Sequence, residues 1–135
     1  MIMELRIFFD EIANYVAGKF VIRPQLKCID DRTIELMVNP GRFIPTVTMQ
    51  LKVEEIRPDV ICLSYTCSKA MSMIIGGAVN HLEQKLPDVV QVNTDDRRVN
   101  LYPGKSDKLR KAMEHVQLQD IRVANNGILV VFTLL

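Results

Sequence analysis

Residues 46–54, TVTMQLKVE, alternate without a fault. Val47, Met49, Leu51 and Val53 fall on one side; Thr46, Thr48, Gln50, Lys52 and Glu54 fall on the other. Side chains on a strand repeat with a period of two, so the segment predicts a strand buried on one face and wet on the other. That is the habit of antiparallel sheets, since parallel ones are covered on both faces. The flanking segments supply its neighbours.

Upstream, Phe20, Ile22, Leu26 and Cys28 point one way and Arg23, Gln25 and Lys27 the other, with Pro24 marking an edge or kinked strand. DDR (30–32) is a turn, and Ile34, Leu36 and Val38 alternate after it. NPGRFIP (39–45) is a loop. Downstream, RPD (57–59) turns the chain into VICLSYTC (60–67). Further on, VVQVNT and RVNLYP flank DDR as a hairpin. KSDKLRKAMEH holds a short helix, with Ser106 as candidate N-cap. VQLQDIRVA and ILVVFTLL are joined by NNG (125–127), a hairpin signal because Asn and Gly accept positive φ. The first of these two strands changes phase near Asp120, which predicts a bulge. The second is apolar on both faces, which predicts a central strand covered on both sides.

Two longer segments also read as helices. In residues 2–17, Ile2, Leu5, Phe9, Ile12 and Val16 form one stripe, widened by Phe8 and Tyr15, and Gly18 and Lys19 supply the stop. The second helix runs from Ser68 to Leu86, ahead of Pro87. At about 100° per residue, Met71, Ile74, Ile75, Ala78, Val79, Leu82 and Leu86 gather on one face. From Ala70 to Gly77 only Ser72 is polar, so that half is expected to be buried all round. Gly76 and Gly77 weaken a helix, but without side chains they admit a close neighbour. Strands in runs joined by short turns argue against alternating βαβ units. The predicted fold class is α+β: an N-terminal helix and a mostly antiparallel curved sheet of about eight strands, packed around or against one long helix, in a single domain over residues 1–135.

Composition removes several functions. Net charge is +1, aromatic residues are 6% and Trp is absent, so no nucleic-acid partner is expected. The basic pair Arg97–Arg98 is cancelled by Asp95–Asp96 beside it. Cys28, Cys62 and Cys67 cannot all pair with one another and read as free thiols in a reducing compartment. Glu4, Asp10 and Glu11 interrupt the first residues, which do not form a signal peptide. No apolar run reaches the ~20 residues that span a bilayer. A cytoplasmic protein without a transmembrane segment is expected.

Reactive motifs are weak. GKS (104–106) has Val99 where a phosphate loop needs its first glycine. His81 and His115 have no ligand-spaced neighbours, so neither a metal nor a cofactor is expected. Asp30–Asp31, Glu54–Glu55 and Asp95–Asp96 read as solvated residues at or next to turns. Cys67, just before the long helix, is the best lone nucleophile candidate.

Three stretches, AMSMIIGGAVNHLEQKLPD, VQVNTDDRRVNLYP and VQLQDIRVANNGILVVFTL, together resemble the tubular lipid-binding (TULIP) proteins. The resemblance covers roughly the last half of the chain. It implies a long helix wrapped by a strongly curved antiparallel sheet, with lipid chains between them. The leading functional expectation is a non-enzymatic binding domain that holds a lipid or acyl chain between sheet and helix. Met71, Met73, Ile74, Gly76 and Gly77 are the candidate ligand-binding residues. The competing expectation is a structural or protein-interaction domain without a small-molecule ligand. In it the apolar surplus of residues 1–16, or of the final strand, makes a homodimer interface. An enzyme ranks third.

Overall fold

The structure, a computed structural model, describes residues 2–20, 23–39, 46–69, 72–73, 76–77, 80, 84 and 88–135, with the backbone alone for 19–20. In chain order come β1 (Ile2–Phe8), α1 (Phe9–Phe20), β2 (Gln25–Cys28), β3 (Thr33–Val38), β4 (Val47–Ile56) and β5 (Ile61–Cys67). They are followed by β6 (Val90–Asn93), β7 (Arg98–Leu101), a 3-10 turn (Pro103–Lys105), the single turn α2 (Arg110–Met113), β8 (Val116–Ala124) and β9 (Gly127–Leu134).

This corrects the α+β expectation. The protein is mostly β, and its strands are divided between two antiparallel sheets rather than curved around a helix. The large sheet has six strands in the order β2-β3-β4-β5-β7-β6, and the small sheet has three in the order β1-β9-β8. The helix expected over 68–86 lies in large part outside the described residues. Among the described elements, α1 is the one helix longer than a single turn.

β4 behaves as its alternation demands. Val47 is buried, Met49, Leu51 and Val53 are half-buried, and Thr48, Gln50, Lys52 and Glu54 are exposed. β2 is the edge strand that Pro24 foretold, and it begins immediately after that proline. β6 and β7 form the expected hairpin, but β7, not β6, pairs with β5.

The first seventeen residues depart most from expectation. Ile2–Phe8 is a strand, paired along its whole length with β9 from Ile2↔Thr133 to Phe8↔Gly127. The helix starts only at Phe9, with Asp10 and Glu11 in its first turn, where carboxylates suit the positive helix end. Glu11 accepts the Phe8 N–H at 3.4 Å, a back-bond that closes the helix start.

Phe9, Ile34 and Val123 are the buried centre of a core shared by both sheets, packed by Ile12, Leu26, Cys28, Leu36, Leu51 and Ile128. Its residues come from α1, from β2–β4 and from β8–β9, so the helix and the two sheets close on one another. The turn between β2 and β3 fastens the joint: Val123 N–H donates to Asp31 O at 2.8 Å. The bulge foreseen near Asp120 falls between Leu118 and Asp120.

Three smaller expectations are also corrected. The β8–β9 turn is Asn125–Asn126, and neither residue has positive φ; Arg97, φ 54°, is the non-glycine residue that does. Ser106 follows the 3-10 turn as its C-cap, and α2 starts after Leu109 with no side-chain cap. β9 is central, but it is half-buried along most of its length rather than covered on both faces.

Candidate functional site

Two sheets have four edges, and an edge strand carries unpaired N–H and C=O groups that any other strand can use. The large sheet ends in β2 and β6, each of four residues. Short edges offer little to pair with. The small sheet ends in β8 and β1, and these two are treated differently.

β8 is covered. Along an antiparallel strand, residues alternate between facing the partner and facing away. The two-residue turn after Ala124 pairs it with Gly127, so Val123 and Ile121 direct their backbone groups away from β9. Those groups are occupied: Val123 N–H donates to Asp31 O at 2.8 Å, and Arg32 Nη1 donates to Ile121 O at 3.0 Å. Arg32 Nη1 also meets Asp120 Oδ1 at 2.6 Å, and Arg122 Nε meets Asp120 Oδ2 at 2.9 Å. Burial works to raise the pKa of Asp120. The hydrogen bonds from Arg122, Arg32 and the Ile121 N–H outweigh that, and hold the carboxyl below its ordinary value. The bulge that turns Asp120 toward Arg32 therefore has a structural purpose.

β1 is open. It is seven residues long, its register on β9 has no bulge, and it contains no proline. Phe9 N–H donates to Asn126 O at 2.9 Å, which makes Phe9, and with it Ile7, Leu5 and Met3, the residues whose amides face β9. The groups of Ile2, Glu4 and Arg6 therefore face outward, where no strand lies among the described residues. Ile2 is 71% exposed and Leu5 50% exposed. Glu4 and Arg6 are exposed and make no ion pair among the described residues. Met3, Leu5 and Ile7 share a face with Phe132, Val130 and Ile128, because directly paired residues lie on the same side of a sheet.

One approach between β1 and β9 is especially close. A Cβ on Gly127 would stand 2.5 Å from Ile7 O and 3.1 Å from Phe8 Cα. No larger residue fits there without moving the β1 backbone. Among the described glycines, Gly127 is thus the one that marks a close approach. At Gly76 and Gly77 nothing lies within 4 Å of where a Cβ would stand.

Met73 is 81% exposed, and Gly76 and Gly77 are exposed. Met71 and Ile74 lie outside the described residues. The lipid-binding hydrophobic cavity expected between sheet and helix is overturned. The two sheets close on a shared core, and a depression of about 470 Å³ between β4 and β8 is lined by Arg32, Lys52, Glu54, Glu55 and Asp120. Another, of about 300 Å³, is lined by Glu35, Thr48, Gln50 and Thr66 beside Cys67.

Cys67 Sγ lies 3.2 Å from Ser72 Oγ, and its side chain packs against Val38 and Val47. His81 lies outside the described residues, and His115 is exposed on the α2–β8 connection. The carboxylate pairs are engaged locally. Asp30 accepts the Arg32 N–H at 2.9 Å, Glu54 accepts Ser64 Oγ at 2.6 Å, and Glu55 pairs with Arg57. Glu54–Glu55 stands at the β4 bulge rather than in a turn. Among the described residues no three His, Cys, Asp or Glu side chains could hold a metal, and no helix is long and apolar enough to cross a membrane.

Sequence reasoning put Leu5 on a helical stripe and Glu4 among charges that break a leader, and did not read Glu4, Leu5 and Arg6 as a strand edge. The signal was present in MELRI (3–7), where apolar and charged residues alternate. Compared with known families, curated proteins and solved structures, the chain matches none of them.

Proposed function

We propose that this chain is a protein-interaction domain that works without a small-molecule ligand and presents the outer edge of β1 to a strand of a protein partner. One observation carries the reading. Of the four sheet edges, β1 alone is long and regular, with no strand beside Ile2, Glu4 and Arg6 among the described residues. Strand addition to such an edge derives affinity from main-chain hydrogen bonds and specificity from alternate side chains. Ile2 and Leu5, exposed on opposite faces of β1, are the apolar residues that a partner would cover. A cytoplasmic setting goes with this reading, since Cys28, Cys62 and Cys67 are free thiols.

The test is size fractionation of a cell extract containing the full chain or its Leu5→Asp variant, with chemical cross-linking to read stoichiometry. The wild-type chain is expected in an assembly of fixed composition. Leu5→Asp should release it while leaving its thermal midpoint nearly unchanged, because Leu5 is half exposed. Both chains running at the monomer mass would overturn the reading.

A further inference from the structure

We infer that the strand received by β1 is β1 of a second copy, paired antiparallel about a two-fold axis through Leu5; this rests on the interaction reading above. Only residues whose backbone groups face outward can bond across the edge, and these are Ile2, Glu4 and Arg6; Phe8 is in the same phase, but its N–H is already given to Glu11, which leaves its carbonyl. A two-fold axis at Leu5 sets each of them against another of the same kind. Glu4 stands opposite the partner's Arg6, Arg6 opposite the partner's Glu4, and Ile2 opposite the partner's Phe8. Glu4 N–H then donates to the partner's Arg6 O, and the partner's Arg6 N–H donates to Glu4 O. The same pair of bonds forms on the other side of the axis.

The alternatives are worse for stated reasons. Moving the axis to Glu4 opposes two carboxylates, and moving it to Arg6 opposes two guanidinium groups; like charges directly opposite destabilise a sheet. A slip of one residue sets outward groups against residues whose amides already face β9. The register centred on Leu5 is also the one that overlaps all seven residues of β1. Overlap, hydrogen-bond phase and charge therefore select the same pairing.

The side chains agree. On the face shared with Ile128, Val130 and Phe132, the pairing adds Met3 against the partner's Ile7 and Leu5 against the partner's Leu5. On the other face Ile2, 71% exposed, meets the partner's Phe8, itself 43% exposed in the single chain. The two small sheets become one continuous sheet in the order β8-β9-β1-β1-β9-β8. Both of its outer edges are then β8 strands, broken by the bulge before Asp120, with the outward Val123 N–H and Ile121 carbonyl already taken by Asp31 and Arg32. The assembly closes at two copies, as an isologous contact must.

Sedimentation velocity of the purified full chain, across micromolar concentrations, reads the assembly directly. The wild-type chain is expected to be a dimer. Glu4→Arg or Arg6→Glu alone sets like charges opposite at two symmetric positions and should weaken the dimer roughly tenfold or more. The double variant Glu4→Arg/Arg6→Glu restores opposite charges and should restore dimerisation. Leu5→Cys should give a disulfide-linked dimer under mild oxidant, because the Leu5 pair is the close, non-hydrogen-bonded kind, with Cα atoms about 4.5 Å apart. The wild-type chain, with its three native cysteines, is the control and should not cross-link. A wild-type monomer, a dimer indifferent to the single variants, or a double variant that fails to restore it would each overturn the inference. If the purified chain is monomeric while the extract still shows a Leu5→Asp-sensitive assembly, this inference falls and the broader reading stands. If neither assembly is found, both fall.

Discussion

The two edges of the small sheet make an instructive pair. β8 and β1 flank the same central strand, and both present backbone groups on their outer sides. On β8 the Val123 N–H and the Ile121 carbonyl meet the Asp31 carbonyl and the Arg32 guanidinium, which belong to the turn between β2 and β3. On β1 only the Phe8 N–H is met, by Glu11; those of Ile2, Glu4 and Arg6 have no partner strand among the described residues. The difference lies less in the strands themselves than in what the rest of the chain places beside them. An edge is closed by tertiary structure, and the edge left open among the described residues is the one assigned above to a partner.

The sharpest way to break the comparison is to detach β1. Gly127→Ala puts a methyl group 2.5 Å from Ile7 O, so β1 must shift or leave. A loss of about 3 kcal/mol is expected in urea unfolding, and the self-association assigned to β1 should disappear with it. Next in size is the closed edge. Asp120→Asn removes the charge held by Arg32 and Arg122 and should cost about 1–2 kcal/mol. Because the folded carboxyl has a lowered pKa, its contribution is fully present above the ordinary value near 3.8. It is lost as pH falls through the lower folded value. Wild-type stability should therefore drop on acidification below pH 3.8, and this carboxyl's share of the drop should be missing from Asp120→Asn.

The large sheet supplies the contrasting case. Arg97 holds φ 54° in the β6–β7 turn, and the left-handed region costs a non-glycine residue about 1 kcal/mol. Arg97→Gly should raise the melting temperature slightly and leave self-association untouched. The smallest effect is expected at Gly77→Ala. Nothing lies within 4 Å of the added carbon, and φ is not positive there. The substitution should stabilise by about 0.5 kcal/mol through the unfolded chain. Gly127 and Gly77 thus respond in opposite directions to the same added carbon.

Much of the large sheet was legible. β4 shows itself because its alternation is unbroken and one face is buried. The bulge at Asp120 shows as a change of phase, since an extra residue inverts which side chains face the core. β1 was not legible as a strand, because residues 2–8 carry two periods at once. Ile2 and Leu5 continue the helical stripe of Phe9, Ile12 and Val16, while Met3, Leu5 and Ile7 alternate with Glu4 and Arg6. The choice is made by β9, at the far end of the chain, and no local window contains it. The glycine reading failed for a related reason. Gly76–Gly77 stands out in the sequence, yet Gly127, which looks like an ordinary turn residue, is the one with a backbone against it. The candidate site was visible as charges without a geometry, because Glu4 and Arg6 acquire their common outward direction only from the pairing with β9.

The pairing of Met3 with Phe132 has a consequence for synthesis. β1 emerges from the ribosome before everything else described here, and its partner emerges last. The strands of the large sheet, contiguous between Gln25 and Leu101, can assemble while β9 is still unmade. β1 cannot, and non-local pairings of this kind are slow to form. Throughout that interval Ile2, Leu5 and Phe8 lack the strand they pair with, so the nascent chain needs protection longest at β1.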